Sequence, residues 1–233
     1  RTPRPRLRRR LLRPPRPRRP RQPRPPPLLV PDPPQPPLLP PLLPMLAVAV
    51  LATAIPALMQ SALPLDLVRG GLARGPLPEN VGALLIGLQL GLLVVLQWPV
   101  GRALAQRPVA QGLGLSLACF AFGTVLLAFS ALSSQGLWLV LLAQLPLALG
   151  EAAFLPIATE AVIELSPREH QGLAMALFSQ CFALSALGAP LLAGVALDAQ
   201  RHAGGFWILM TLLCLAGLNL VKRLKPRPVV PAE

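Results

Sequence analysis

Residues 137–163 read LWLVLLAQLPLALGEAAFLPIATEAVI, and this stretch decides the fold class. A helix over it rises 1.5 Å per residue and exceeds the roughly 30 Å hydrocarbon core of a bilayer. Its apolar side chains follow neither the period of an amphipathic surface helix nor that of a strand, so they cover every face. It holds no basic residue, and Glu151 falls close to its middle. An acid at that depth is costly and turns toward protein or water.

Outward from this span the pattern repeats. Residues 42–63 and 80–101 hold no charge, and neither does 108–150, which Ser133-Ser134-Gln135-Gly136 divides in two. Residues 171–197 and 203–221 complete the set. The spacing predicts six transmembrane helices over 42–63, 80–103, 109–131, 137–163, 170–197 and 204–223. The fold class is therefore all-α integral membrane, a six-helix bundle. Residues 64–79, with Asp66, Arg69, Arg74 and Glu79 amid Gly and Pro, read as a turn-rich surface loop.

The charge sits elsewhere. The chain has 233 residues and a net charge of +13, and 12 of its 22 basic residues are arginines within residues 1–24. Eighteen of the first 44 residues are proline, a composition that excludes a packed core. Residues 1–41 read as a disordered cytoplasmic linker, 42–225 as the transmembrane domain and 226–233 as a cytoplasmic tail. Arginine-rich arms also contact anionic lipid or RNA. No aromatic residue among these arginines stacks on bases, which argues against a nucleic-acid partner. Beginning at Arg1 rather than Met, the chain reads as a fragment.

Basic residues mark the cytoplasmic side. With the arm inside, Arg102, Arg107, Arg168, Lys222, Arg223, Lys225 and Arg227 fall inside, against Arg69, Arg74 and Arg201 outside. Both ends are then cytoplasmic, with a plasma or inner membrane as the expected location.

Polar residues within the spans are candidate ligands for a solute or a proton. They are Gln89 and Gln97 in the second span, Gln144 and Glu151 in the fourth and Gln180 in the fifth. Gln144 precedes Glu151 by two helical turns on one face, while Glu160 lies about 180° around. Pro146 and Pro156 flank Glu151 and free backbone carbonyls near it. Two readings of Glu151 stand: it binds a proton or a cationic solute group, or it is a protonated acid bonded between helices. The third and sixth spans hold only weakly polar groups and are expected to lie outside. In the fifth, Cys181, Ser185, Ala189 and Ala193 form a small-residue stripe that admits a neighbouring helix. Cys119, Cys181 and Cys214 lie in apolar runs and read as packing residues, with no disulfide framework and no metal spacing. No nucleophile with a base and no phosphate loop appears, so an enzyme is not expected, and neither a cofactor nor a catalytic residue is assigned.

Three segments together resemble the Major Facilitator Superfamily. They are Gly150-Glu151-Ala152-Ala153-Phe154-Leu155-Pro156, Leu165-Ser166-Pro167-Arg168-Glu169-His170-Gln171-Gly172, and a fifth span carrying Gly188-x-Pro190-x-x-x-Gly194. They are similar to that family's passage from the fourth to the fifth helix of a half. The resemblance covers about residues 42–225 and implies one half of a twelve-helix fold in which two six-helix halves rock about a cavity. The loop after the second span, Gly101-Arg102-Ala103-Leu104-Ala105-Gln106-Arg107, keeps the glycine and basic residues of the family's loop but has Ala105 at its aspartate position. That departure suits the second half, helices seven to twelve, with the arm as the linker between halves.

The resemblance implies a secondary transporter moving a small solute by alternating access, with proton coupling as one option. Its expected partners are the solute, the lipid bilayer and the N-terminal six-helix half. It also assigns packing or gating to Gly101, Arg102, Arg107, Gly188, Pro190 and Gly194. The alternative is a non-transporting membrane assembly protein that binds pigment or lipid on the same scaffold.

Overall fold

Chains of apolar residues long enough to cross a bilayer satisfy their backbone internally, and all six stretches do so as helices. The structure, a computed structural model, describes residues 39–200 and 202–222. The helices are α1 (Leu39–Arg69), α2 (Glu79–Leu104), α3 (Val109–Ser130), α4 (Gly136–Leu165), α5 (Gln171–Gln200) and α6 (Gly204–Val221), with a 3₁₀ turn at Arg168–His170 before α5. Each of the six is long and apolar enough to span a membrane. The bulk of the Arg/Pro arm and the basic tail, with Arg201, Arg223, Lys225 and Arg227, lie outside the described residues.

α1 packs against every other helix, most extensively against α5. α3 packs on α4 and on α6, and α2 rests mainly on α4. Few polar bonds join these helices, and each crosses one seam. Ser185 Oγ lies 2.7 Å from Thr53 Oγ1 and donates to the Val50 carbonyl at 2.8 Å, joining α5 to α1. The predicted stripe of Cys181, Ser185, Ala189 and Ala193 is buried along this seam. Thr124 and Thr211 hydroxyls meet at 2.9 Å between α3 and α6. Ser116 Oγ donates to the Gly150 carbonyl at 2.7 Å between α3 and α4. A Cβ on Gly150 would lie 3.0 Å from the Ser116 carbonyl oxygen and 2.9 Å from the Phe120 ring, so glycine permits the close approach beside Glu151.

Residues 64–79 correct the surface-loop expectation in part: α1 continues to Arg69 and both Asp66 and Arg74 are buried, whereas residues 70–78 form an irregular and mostly exposed turn. α1 runs through Pro56 and Pro64 to Arg69, as membrane helices tolerate proline where neighbours enclose them. The segment beyond then folds back over the end of α1. Gly70, at φ 81°, donates its N–H to the Asp66 carbonyl at 3.0 Å, and the Leu77 N–H reaches the Leu67 carbonyl at 2.9 Å. Left-handed glycine after the last turn is the usual device for satisfying terminal carbonyls. The Ala73 N–H donates to the Ala131 carbonyl at 3.0 Å, pinning the segment to the end of α3.

This turn carries Arg74 into the interior. Its Nη2 lies 2.9 Å from Asp66 Oδ1, with side-chain exposures of 2% and 1%. Arg74 also donates to Ser130 Oγ at 2.6 Å and to the Asp66 carbonyl at 3.1 Å, and Trp207 Nε1 donates to Asp66 Oδ2 at 3.2 Å. Elements α1, α3 and α6 are thus locked at one end of the bundle. Arg69 and Asp198 add an exposed pair at 2.7 Å between α1 and α5.

Burial is uneven. Only 17% of the apolar window of α2 and 28% of that of α5 is buried, against 56% for α3. Leu84, Val94, Val95 and Trp98 on α2, and Leu187, Leu191, Leu192 and Val195 on α5, stand exposed.

Candidate functional site

The polar residues of α2 and α4 face each other across a short distance. Gln89 is 6% exposed, Gln144 is wholly buried, and Glu151 is half-buried. In one orientation of its amide, Gln89 Nε2 donates to Glu151 Oε2 at 3.4 Å, a long bond. With oxygen and nitrogen exchanged, Gln89 donates to Gln144 Oε1 and to the Gln144 carbonyl, each at 3.1 Å, and accepts from the Ala148 N–H at 3.2 Å. Gln144 Nε2 donates to the Val140 carbonyl at 3.2 Å, so both its ends are occupied in that arrangement.

Among the described residues, Glu151 therefore has amide neighbours and no cationic partner. Its helix stays continuous through Pro146 and Pro156. The two prolines remove backbone donors on either side of the carboxyl, at no cost in helical continuity. Ser116 on the Gly150 carbonyl fixes α4 against α3 one residue before Glu151.

A small cavity adjoins these three residues. Pro56, Met59, Gln60 and Leu63 of α1 and Leu85, Ile86 and Leu90 of α2 complete its lining. Its volume of about 10 Å³ matches the room that one water molecule requires. α3 and α6 give no side chain to it, in keeping with their expected place outside the polar interior.

Of the predicted polar set, the structure gathers Gln89, Gln144 and Glu151 and leaves two apart. Gln97 is exposed on α2. Gln180 lines a separate groove of about 610 Å³ between α1 and α5, beside Leu46, Val50 and Leu184. Glu160 and Glu164 are exposed on the later turns of α4. At the end of α2, Arg102 and Arg107 are exposed, and the Arg102 guanidinium stands 5.6 Å from the centre of the Trp98 ring. A Cβ at Gly101, Gly188 or Gly194 would meet nothing within 4 Å, and Pro190 is half-buried. These glycines make no close helix approach within the described bundle.

Gln60 was missed in reading the sequence, although it is a polar residue within a charge-free span. Asp66 and Arg74 were legible only as loop charges, because the turn that buries them depends on contacts with α3 and α6 distant in sequence.

Comparison with curated proteins found no match, and neither did comparison with solved structures. The sequence does match the Major Facilitator Superfamily, over residues 11–233. Six membrane-length helices in an all-α bundle accord with that match. The chain is a multi-pass integral membrane protein and belongs to the Major Facilitator Superfamily.

Proposed function

We propose that this chain is the C-terminal six-helix half of a secondary active transporter that moves a small solute by alternating access, with Glu151 as the site of proton coupling. The observation that carries the proton reading is the cavity beside Glu151. A space of about 10 Å³, walled by Gln89, Gln144 and apolar side chains, has room for a water and none for an organic cation. A water there gives a proton a route to and from the carboxyl. Burial among amides favours exchange of a proton over formation of an ion pair, since no basic side chain among the described residues bonds to Glu151.

The bare faces of α2 and α5 support a partner of matching size. A second six-helix half, the N-terminal one of the same transporter, covers Val94, Trp98, Leu187 and Leu191 and gives Gln97 and Gln180 an enclosed cavity. Gly101, Gly188 and Gly194 then lie where a close approach to that half is possible. The bias of basic residues supports a cytoplasmic side for Arg102, Arg107 and both termini of a protein in a plasma or inner membrane. Gln97 and Gln180 are the residues proposed to contact solute, because they remain open on this half.

Uptake into vesicles bearing the intact transporter, driven by an imposed pH gradient, tests this reading. Glu151→Gln keeps the shape and the hydrogen bonding but removes the exchangeable proton. It should abolish pH-driven uptake while counterflow exchange persists, and Glu160→Gln should leave both intact. Unchanged pH dependence in Glu151→Gln would assign the carboxyl a structural role.

A further inference from the structure

α5 and α6 both lean on α1 but barely touch each other, because α6 packs chiefly on α3. Between them a groove of about 390 Å³ runs over α1, and every residue that lines it is apolar. Its breadth comes from small residues: Ala47 and Ala54 of α1, Ala189 of α5, and Ala216 and Gly217 of α6. On α6 the lining recurs at Phe206, Met210, Leu213, Gly217 and Leu220, one stripe along nearly the whole helix. At 1.5 Å per residue the groove extends about 21 Å along α6, and about 16 Å along α1 from Ala47 to Leu58. One leaflet fills half of a hydrocarbon core of roughly 30 Å, so these lengths accommodate one extended acyl chain.

The surroundings of the groove select its occupant. Water finds no polar partner in an apolar space, and an empty groove forfeits dispersion contacts along its walls. Leu192 of α5 and Leu213 of α6 line it and are themselves 67% and 41% exposed, so it is open on the outside of the bundle. In a bilayer the material on that side is hydrocarbon chain. One end of the groove is marked by charge. Gly217 lies against Leu51 and Trp207 bonds to Asp66, so α6 runs antiparallel to α1, and Ala47 and Leu220 share that end. Lys222 follows Leu220 by two residues and is exposed. The sequence continues with Arg223, Lys225 and Arg227, and no acidic residue occurs between Asp198 and Glu233. Basic residues beside the end of a membrane helix attract anionic headgroups.

We propose that this groove is a binding site for one anionic phospholipid, with an acyl chain seated between α5 and α6 and the phosphate at the Lys222 end. The chain joins two helices that make little direct contact of their own. The site is separate from Glu151: the cavity there uses Pro56, Met59, Gln60 and Leu63, on the opposite face of α1. It stands whether or not that acid exchanges a proton.

Native mass spectrometry of the full chain, washed of loosely held lipid in detergent and offered equal amounts of phosphatidylglycerol and phosphatidylcholine, tests the proposal. The wild type should retain one phosphatidylglycerol in preference to phosphatidylcholine. Lys222→Gln combined with Arg223→Gln should still hold lipid but lose the preference several-fold. Ala216→Trp places a ring in the groove and should retain neither lipid. A second measurement needs no variant. Phosphatidylglycerol with a diazirine at the tip of one acyl chain should label α6 near Phe206 and Met210, and with a diazirine beside the glycerol it should label near Leu220. Unchanged retention in Ala216→Trp would overturn the proposal. So would a wild type indifferent to headgroup charge, or a preference that survives loss of both basic residues. Labelling spread evenly onto Leu84, Val94 and the other exposed apolar residues of α2 would overturn it as well. A dimer that keeps lipid out of the groove would do the same, by making a second copy of the chain the occupant.

Discussion

Asp66 and Glu151 are both acids on membrane-spanning helices, and their neighbours set them apart. Asp66 is enclosed by Arg74, Trp207 and the turn after α1, each bonded to it at 3.2 Å or less. Among the described residues Glu151 has one long amide contact, beside a water-sized space. Removing one partner of a buried ion pair leaves the other charge uncompensated and costs about 3–5 kcal/mol. Arg74→Met should therefore lower the thermal unfolding midpoint in detergent sharply, and Asp66→Leu combined with it should recover much of the loss. A single variant as stable as the wild type would remove Arg74 from the lock. Glu151 was legible in the sequence because an acid stands out near the middle of a membrane-length span that holds no basic residue. Gln89 and Gln97 were equally visible, but eight residues place them about 80° apart around α2. Which of the two faces α4 depends on how the helix is rotated, and composition carries no information on that.

At the scale of helices, length and number follow from hydropathy, while seams depend on single small residues. The spans were readable because each must exceed the bilayer core. The end of α1 was not, since Pro64 and the charges beyond it resemble a loop until Gly70, Arg74 and Leu77 are seen capping the helix. Gly150 marks a close helix approach beside the site. Gly150→Val would press a side chain on the Phe120 ring and on the Ser116 carbonyl, and backbone yields less readily than a side chain. The expected loss is about 1–3 kcal/mol, measurable as a lower unfolding midpoint, and an unchanged midpoint would contradict the packing described. Gly194 offers the opposite case. Open space surrounds it, so Gly194→Leu should leave the stability of the six-helix bundle unchanged. If a second half docks on α5, the same variant should weaken recovery of the assembled transporter in a pull-down of separately tagged halves. Equal recovery would place the contact elsewhere.

For the whole molecule, α1 at the centre, the α3–α6 pair to one side and two underburied helices give a bundle with one finished and one open aspect. The Asp66–Arg74 lock joins α1, α3 and α6 at one end, so those helices should move together. α2 rests mostly on α4 and has fewer such restraints. Under the proposed alternating access, rocking of this bundle against a second half would open the α1–α2–α4 cavity to each side of the membrane in turn. Leu90 lines that cavity from the middle of α2, which makes it the reporting position. With Cys119, Cys181 and Cys214 replaced, a single Leu90→Cys should be measured for its reaction with a membrane-impermeant thiol reagent, in sealed vesicles of both orientations. Alternating access predicts labelling from either face, with a shift of pH that raises labelling from one side lowering it from the other. Labelling from one face alone at every pH, or from neither, would contradict a carrier that works around Glu151.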